Sequence, residues 1–517
     1  MKNKLLSILI LSVLMGSQNT TVNGNIEYYF MSRLSDSNIV NIPFRLLNLN
    51  VYHQRDNLDI NGQFALEYRP RSDTDFSFDD NPTDFNLVLR DLYITYYLNN
   101  GEFSFGKKRY TWGSADENSP IDNISPYDYY YLLNGTQERK LGIYSASFDF
   151  YFDNNWSNML PVFFSSIFPP LGFLLDGEFK ISGMISPMHN TSRFPIDDPE
   201  YPLSLPISPS EGQFLSVNNP YEAGIYLQKS MQNFDFTLSH FRGYDRVFNV
   251  SGFALYQYGT SGINPQTEIK YSYRLTEANN FGFVALLNDF TVRSDITLFR
   301  SFDRNDINSF MLAPYSIDVQ AGTDNYNIIT AEDEECAKTN DVGETVYIDC
   351  IYPFKEDAKY MQGILQIELP LPNDYQVNVQ YFQYDIKEYT NLLTEYDLPS
   401  NVQLPNVQID ISNADSEDLF LPGMGAPYSI LSKKLTFINL EKLLMDNDLK
   451  LSFTLVHDLD EGSGHIFAFE SEFDFGNGLL GLVGFNKING DSSQGDLYRF
   501  NSMEDFSSFR TQLTYNF

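Results

Sequence analysis

Lys107, Lys108 and Arg109 stand just ahead of a segment carrying Asp116, Glu117, Asp122 and Asp128 between prolines. Opposite charges held face to face across a watery gap create a transverse field that sorts ions and orients charged solutes. Arg90, Glu268, Lys270 and Arg274 could add to such a set. Asp beside Pro also caps turns through its carboxylate, so both uses stand for Asp122 and Asp128. Other chemistry is sparse. His53, His189, His240, His457 and His465 are scattered. His457 and His465 flank a polar stretch with Asp460 and Glu461, which reads as a solvated hairpin tip rather than an acid–base site. No G-x-S-x-G, H-E-x-x-H, Walker A or dinucleotide fingerprint occurs, so no catalytic residue, no cofactor and no enzyme activity are expected. Cys336 and Cys350 share one polar segment. A bridge would close a loop of roughly 15 residues, worth about 3 kcal/mol, and suits an oxidising compartment. No His lies nearby to complete a metal site. The acidic run 331–335 offers oxygen ligands without the spacing of a calcium loop, so no metal is expected.

Elements must hold these groups, and composition limits which. The chain has 517 residues, 20% charged and 15% aromatic, with 43 Phe, 35 Tyr and 2 Trp. A net charge of −34 argues against nucleic acid as a partner, because like charge repels phosphate. The one marked apolar run, residues 5–15, is too short to cross a bilayer as a helix. It follows Lys2 and Lys4 and precedes Gly16 and Ser17, the layout of a secretory leader. Residues 1–16 are therefore expected to be a signal peptide and 17–517 a single exported domain.

Alternation with period 2 dominates that domain. Phe64 and Leu66 oppose Asp59 and Gln63; Phe234 and Phe236 oppose Asp235. Tyr271 and Tyr273 oppose Glu268, Lys270 and Arg274; Phe467 and Phe469 oppose Glu470 and Glu472. Such strands separate two environments. Connections alternate in length too. Tight polar turns fall at 56–57, 100–101, 153–155, 232–233, 277–280 and 476–478. Long segments fall at 71–84, 113–134, 169–220, 301–358 and 391–426. This pattern predicts an all-β, transmembrane antiparallel β-barrel of about 18 strands, within a range of 14 to 18, with short periplasmic turns and long extracellular loops. Strands are expected at 156–165, 266–277 and 280–300, among others. The final strand places Leu513, Tyr515 and Phe517 on one face, an aromatic end of the kind read by the barrel-assembly machinery.

The stretch Arg90-Asp91-Leu92-Tyr93, Phe105-Gly106-Lys107, Trp112-Gly113, Asp116, Asp122 and Ile124-Ser125-Pro126-Tyr127-Asp128 carries a family resemblance. It resembles porin-like outer-membrane barrels that are distantly similar to alginate-export barrels, with Lys108 in place of their Gln and Ser125 in place of their Asn. Phe148 to Phe152 and Leu160-Pro161 are similar as well. The detailed likeness covers roughly a tenth of the chain, and it implies a place and a shape rather than a reaction. The expected protein is a bacterial outer-membrane channel passing a small or extended hydrophilic solute, as a monomer or a homo-oligomer in outer-membrane lipid. Segment 113–134, and part of 301–358, should fold inward as a constriction, since a barrel this wide is not filled by its own side chains. Trp112 is expected at the rim. The alternative is a binding or adhesion barrel acting through its surface loops.

Overall fold

A computed structural model describes residues 19–40, 42–69, 85–116, 118–132, 138–152, 178–195, 209–215, 217, 219–258, 266–303, 315–319, 326–330, 337–339, 345–391, 403–404, 407–408, 420–495 and 498–517. Eighteen strands form one antiparallel sheet that closes on itself. They are β1 (Thr20–Arg33), β2 (Phe44–Arg55), β3 (Leu58–Tyr68), β4 (Phe85–Leu98), β5 (Gly101–Lys108), β6 (Ile143–Phe152), β7 (Glu178–Ser186), β8 (Glu222–Ser230) and β9 (Phe234–Tyr244). The series continues with β10 (Leu275–Leu287), β11 (Phe290–Phe302), β12 (Asp357–Leu371), β13 (Tyr375–Thr390), β14 (Lys434–Leu444), β15 (Leu449–Asp458), β16 (His465–Gly476), β17 (Leu479–Asn489) and β18 (Ser508–Asn516). Each pairs with the next, and β1 pairs with β18 from Asn25↔Asn516 to Arg33↔Ser508, so the barrel has no open edge.

Alternation explains the wall. On β9, Phe234 and Leu238 are exposed on the outside while Thr237 is buried inside. Phe234 stacks on Phe283 of β10 at 6.0 Å, and Phe236 lies 5.1 Å from the same ring. Phe105 is 72% exposed and Leu298 55%, which a water-facing wall would not tolerate in such numbers. A closed sheet with an apolar outer face satisfies every backbone group without water, the condition for crossing a bilayer with strands. The chain is thus an integral β-barrel of the bacterial outer membrane. Among the described residues no helix is long and apolar enough to cross a membrane.

One end carries tight reversals, several needing a left-handed residue. Asp56, Asn288, Asn373, Asp374 and Asn477 all have positive φ, the conformation that primed hairpin turns demand. The opposite end carries the long connections, including 109–142, 187–221, 245–274, 303–356 and 391–433.

The expected strand list needs three corrections. The turn placed at 277–280 lies inside β10; the chain reverses at Asn288 instead. Gln266–Ser272 is not a barrel strand. It pairs with Asn249–Tyr258 in a separate four-stranded sheet above the rim, completed by Thr345–Pro353 and Ala337–Thr339. Alternation reports two faces but not whether the sheet stands in a membrane. Strand β7 occupies 178–186, within the stretch read as a long loop; Ser182, Met184 and Ser186 point inward and it lacks an aromatic stripe, so its alternation is weak. The expected strand 156–165, the signal peptide 1–16 and Cys336 lie outside the described residues, and only the backbone of Cys350 is described. The disulfide therefore stays an expectation.

Candidate functional site

The cations ahead of the inward segment divide between the two faces of the wall. Lys107 is opposite Leu92 and Tyr144, both exposed on the outer face, and its Nζ lies 5.9 Å from the Tyr144 ring. That takes Lys107 out of the lumen-facing set. Lys108, opposite the buried Ile143, points inward and donates to Ser104 Oγ at 3.2 Å. A register shift between β3 and β4 puts an extra residue opposite Gln63–Phe64. Arg90 and Asp91 are both buried as a result, as such a bulge allows. Arg90 donates to the Lys140 carbonyl at 3.0 Å, and Arg109 pairs with Asp91 at 2.6 Å. Arg45 joins them, donating to the Glu138 carbonyl at 2.6 Å. The inner wall of β2 to β5 thus carries Arg45, Arg90 and Lys108 interleaved with the buried carboxylates Asp59, Glu67 and Asp91.

From Arg109 the chain crosses the lumen. Gly113 has φ +121, and a Cβ there would strike Ser119 and approach Asp295. This close approach seats the next residues on the far wall. The amides of Ser114 and Ala115 donate to one oxygen of Asp295 at 2.8 and 2.9 Å, and Ser119 Oγ donates to it at 2.6 Å. Asp295 lies on β11 and is wholly buried. Gln366 of β12 accepts from the Asp116 amide at 2.9 Å and donates to its carboxylate at 2.6 Å. Gln380 of β13 donates to the Asp116 carbonyl at 3.4 Å. A segment leaving β5 thus docks on β11 to β13, six to eight places round the eighteen-strand ring.

The return leg is packed and capped. Tyr110 N donates to Ser125 Oγ at 2.8 Å and Trp112 N to Asp122 Oδ1 at 3.0 Å. Asp122 forms an ion pair with Lys140. Asp128 caps the short 3-10 turn Tyr129–Tyr131 through the Tyr130 amide, and pairs with Arg193 at 2.8 Å. Arg193 also holds Glu67 of β3 at 2.7 Å. Asp122 and Asp128 are 5% and 1% exposed. Burial pushes both carboxyls up, opposed by Lys140 and Arg193. Among the described members of the expected acidic set, only Asp116 is exposed. Asp122 and Asp128 serve as caps and ion-pair partners. Trp112 is not at the rim: it packs inside the wall over Gly224 and 5.2 Å from Tyr226.

A second inward segment, 420–433, was not foreseen. Gln362 of β12 accepts from the Ala426 amide at 2.8 Å, and Tyr360 donates to the Met424 carbonyl at 3.1 Å. Gly425 has φ +120, and a Cβ there would strike Gln362. The two segments touch: Tyr428 donates its amide to Asn118 Oδ1 at 3.2 Å and its hydroxyl to the Leu132 carbonyl at 3.1 Å.

The remaining expected site residues lie above the wall. Tyr271 and Tyr273 do not face lipid; they pack around Phe214, at 5.7 and 6.1 Å. Lys270, on the rim sheet, donates to the Gly212 carbonyl at 3.1 Å. Only the backbone of Glu268 is described. Arg274 is buried, pairing with Asp245 at 2.9 Å and Glu356 at 3.1 Å. Asp295, Gln362 and Gln366 were missed, although each is a polar residue at an inward position of an alternating strand. Tyr515 and Phe517 are half exposed, and the Phe517 amide and carbonyl pair with Gly24 at the barrel seam.

No known protein-family profile matches the chain, and no curated protein sequence matches it. Solved barrels are similar in architecture at low identity. OccAB3 of Acinetobacter baumannii is 9% identical, covering 97% of this chain and 100% of its own, with a TM-score of 0.44. OccK5 (OpdH) of Pseudomonas aeruginosa is 9% identical over 96% and 98%, with a TM-score of 0.43. Wzi of Escherichia coli, a carbohydrate-binding outer-membrane barrel involved in group 1 capsule assembly, is 11% identical over 99% and 87%, with a TM-score of 0.41.

Proposed function

We propose that the chain is a porin-like channel for a hydrophilic solute, narrowed by residues 109–142 and 420–433. The observation that carries this reading is the seat of Ser114, Ala115 and Ser119 on Asp295, which anchors a segment from β5 on the opposite wall. Lys108 and Arg109 then stand on one side, Arg109 paired with Asp91, while Asp116 is exposed on the other. A solute with both anionic and cationic or hydroxyl groups would be oriented between these sides. The likeness of residues 90–128 to porin-like barrels agrees with this; an alginate-type cargo remains an expectation. Residues 1–16 serve as the export leader, and Phe517 as the assembly signal.

The test is planar-bilayer recording of the purified protein beside Asp295→Ala. Unmodified protein should conduct in small steps, and the variant in larger ones. A second reading, a plugged barrel that binds at its surface, is favoured by the second inward segment Phe420–Ser429. It is supported if both proteins stay silent.

A further inference from the structure

Four charged residues sit at the junctions where consecutive strands meet the extracellular loops. Asp245 follows β9, Arg274 precedes β10, Asp303 follows β11 and Glu356 precedes β12. None is more than 7% exposed. The strand ends are laced by their backbones: Asp245 N donates to the Arg274 carbonyl at 2.9 Å and Asp303 N to the Glu356 carbonyl at 2.8 Å. Glu356 N returns a bond to Asp303 Oδ2 at 3.0 Å. Arg274 is the hub. It donates to Asp245 at 2.9 Å, to Glu356 at 3.1 Å and to the Leu421 carbonyl of the inward segment at 2.5 Å. The Phe420 ring lies 4.5 Å beneath its guanidinium.

The charges do not balance. Three carboxylates share one guanidinium in a dry site, and full ionisation there is costly. Groups facing Asp303 are Glu356 and Arg274, with Ser251 of the rim sheet at 3.4 Å. Glu356 also receives Tyr389 OH of β13 at 2.6 Å and Asn249 at 3.2 Å. Asp245 receives Thr276 at 2.6 Å, with Tyr360 and His189 as the titratable groups beyond it. No second cation reaches the Asp303–Glu356 side among these groups.

We propose that this knot is a proton-dependent latch: one bound proton keeps it closed over the inward segment at Leu421, and loss of that proton loosens both this segment and the rim sheet. Burial, then the Glu356 carboxylate, pushes Asp303 up to about 7. The closed knot therefore binds the proton more tightly than an opened one, whose carboxyl has the ordinary value of 3.8. Opening gains up to about tenfold per pH unit from about 4 to about 7 and levels off above. The latch is tight in acid and loose at neutral and alkaline pH.

Hydrogen exchange of the full-length protein in nanodiscs tests this without requiring conduction, so it stands apart from the channel reading. After correction for intrinsic base catalysis, amides 245–247 and 303 should exchange faster from pH 5 to pH 7 by tens-fold, then plateau. Asp303→Asn keeps the bonds to Glu356 N and Ser251 without the titration. It should hold at pH 8 the protection that the unmodified protein has at pH 5. Glu356→Gln, which removes the repelling neighbour, should shrink the slope. A flat profile in the unmodified protein overturns the proposal. So does an Asp303→Asn profile that still rises, or, if that variant does not fold, an unchanged slope in Glu356→Gln.

Discussion

The two inward segments solve one problem with different chemistry. Residues 113–119 are seated by a buried carboxylate, Asp295, that accepts from two amides and a hydroxyl. Residues 424–426 are seated by neutral groups, the Gln362 amide and the Tyr360 hydroxyl. Each seat is reached by a glycine with φ near +120, Gly113 and Gly425, where a side chain would be strained and would strike Ser119 or Gln362. A charge accepting three donors gives a stronger and more directional anchor than an amide does. The first segment spans the lumen from β5 and needs that strength; the second continues into β14 and is also held by Arg274.

The largest expected effect is at the charged seat. Asp295→Ala leaves three donors without an acceptor and should cost about 4 kcal/mol, read as a lower urea midpoint in liposomes together with larger conductance steps. Equal conductance in the variant would break the distinction between the seats. Gly113→Ala comes next, at about 2 kcal/mol from strain and the clash with Ser119. Gly425→Ala should cost about the same, and the two measured side by side show whether the seats are equally unforgiving. Gln362→Leu removes two neutral bonds and should cost about 1–2 kcal/mol, with increased proteolysis between 391 and 433 and little change near 113. The smallest stability effect belongs to Asp116→Asn. Its carboxylate is exposed, so stability should shift by less than about 1 kcal/mol, while reversal-potential measurements register lower cation preference. An unchanged reversal potential in a conducting barrel places the selectivity elsewhere.

Much of the barrel was legible because alternation is a direct imprint of a wall with two environments. Phe234 and Phe236 against Asp235, and Phe64 and Leu66 against Asp59 and Gln63, face as their spacing predicts. The division between tight turns and long loops was readable from residues such as Asp56 and Asn477 that tolerate positive φ. Three things were hidden. A bulge at Arg90–Asp91 adds one residue, and nothing in the local pattern marks it. Tyr271 and Tyr273 alternate like membrane residues, yet Tyr271 is on a strand that stands above the rim and Tyr273 just follows it, because period 2 does not encode height. Asp122 and Arg274 found partners in Lys140 and Glu356, and pairings between residues far apart in sequence depend on tertiary placement. The inward turn after Trp112 was expected from geometry, but its seat on Asp295 depended on which strand lies opposite β5.

The seam between β1 and β18 sets a timetable for making the protein. Its pairs, such as Asn25↔Asn516, join residues from the two ends of the chain. Contacts of such long sequence separation form late and slowly, because the entropy of closing the intervening chain must be met first. Until β18 exists, β1 and β17 present bare hydrogen-bonding edges that invite pairing with other chains. The barrel cannot close before both seam strands exist, and the Phe517–Gly24 pair lies at that seam.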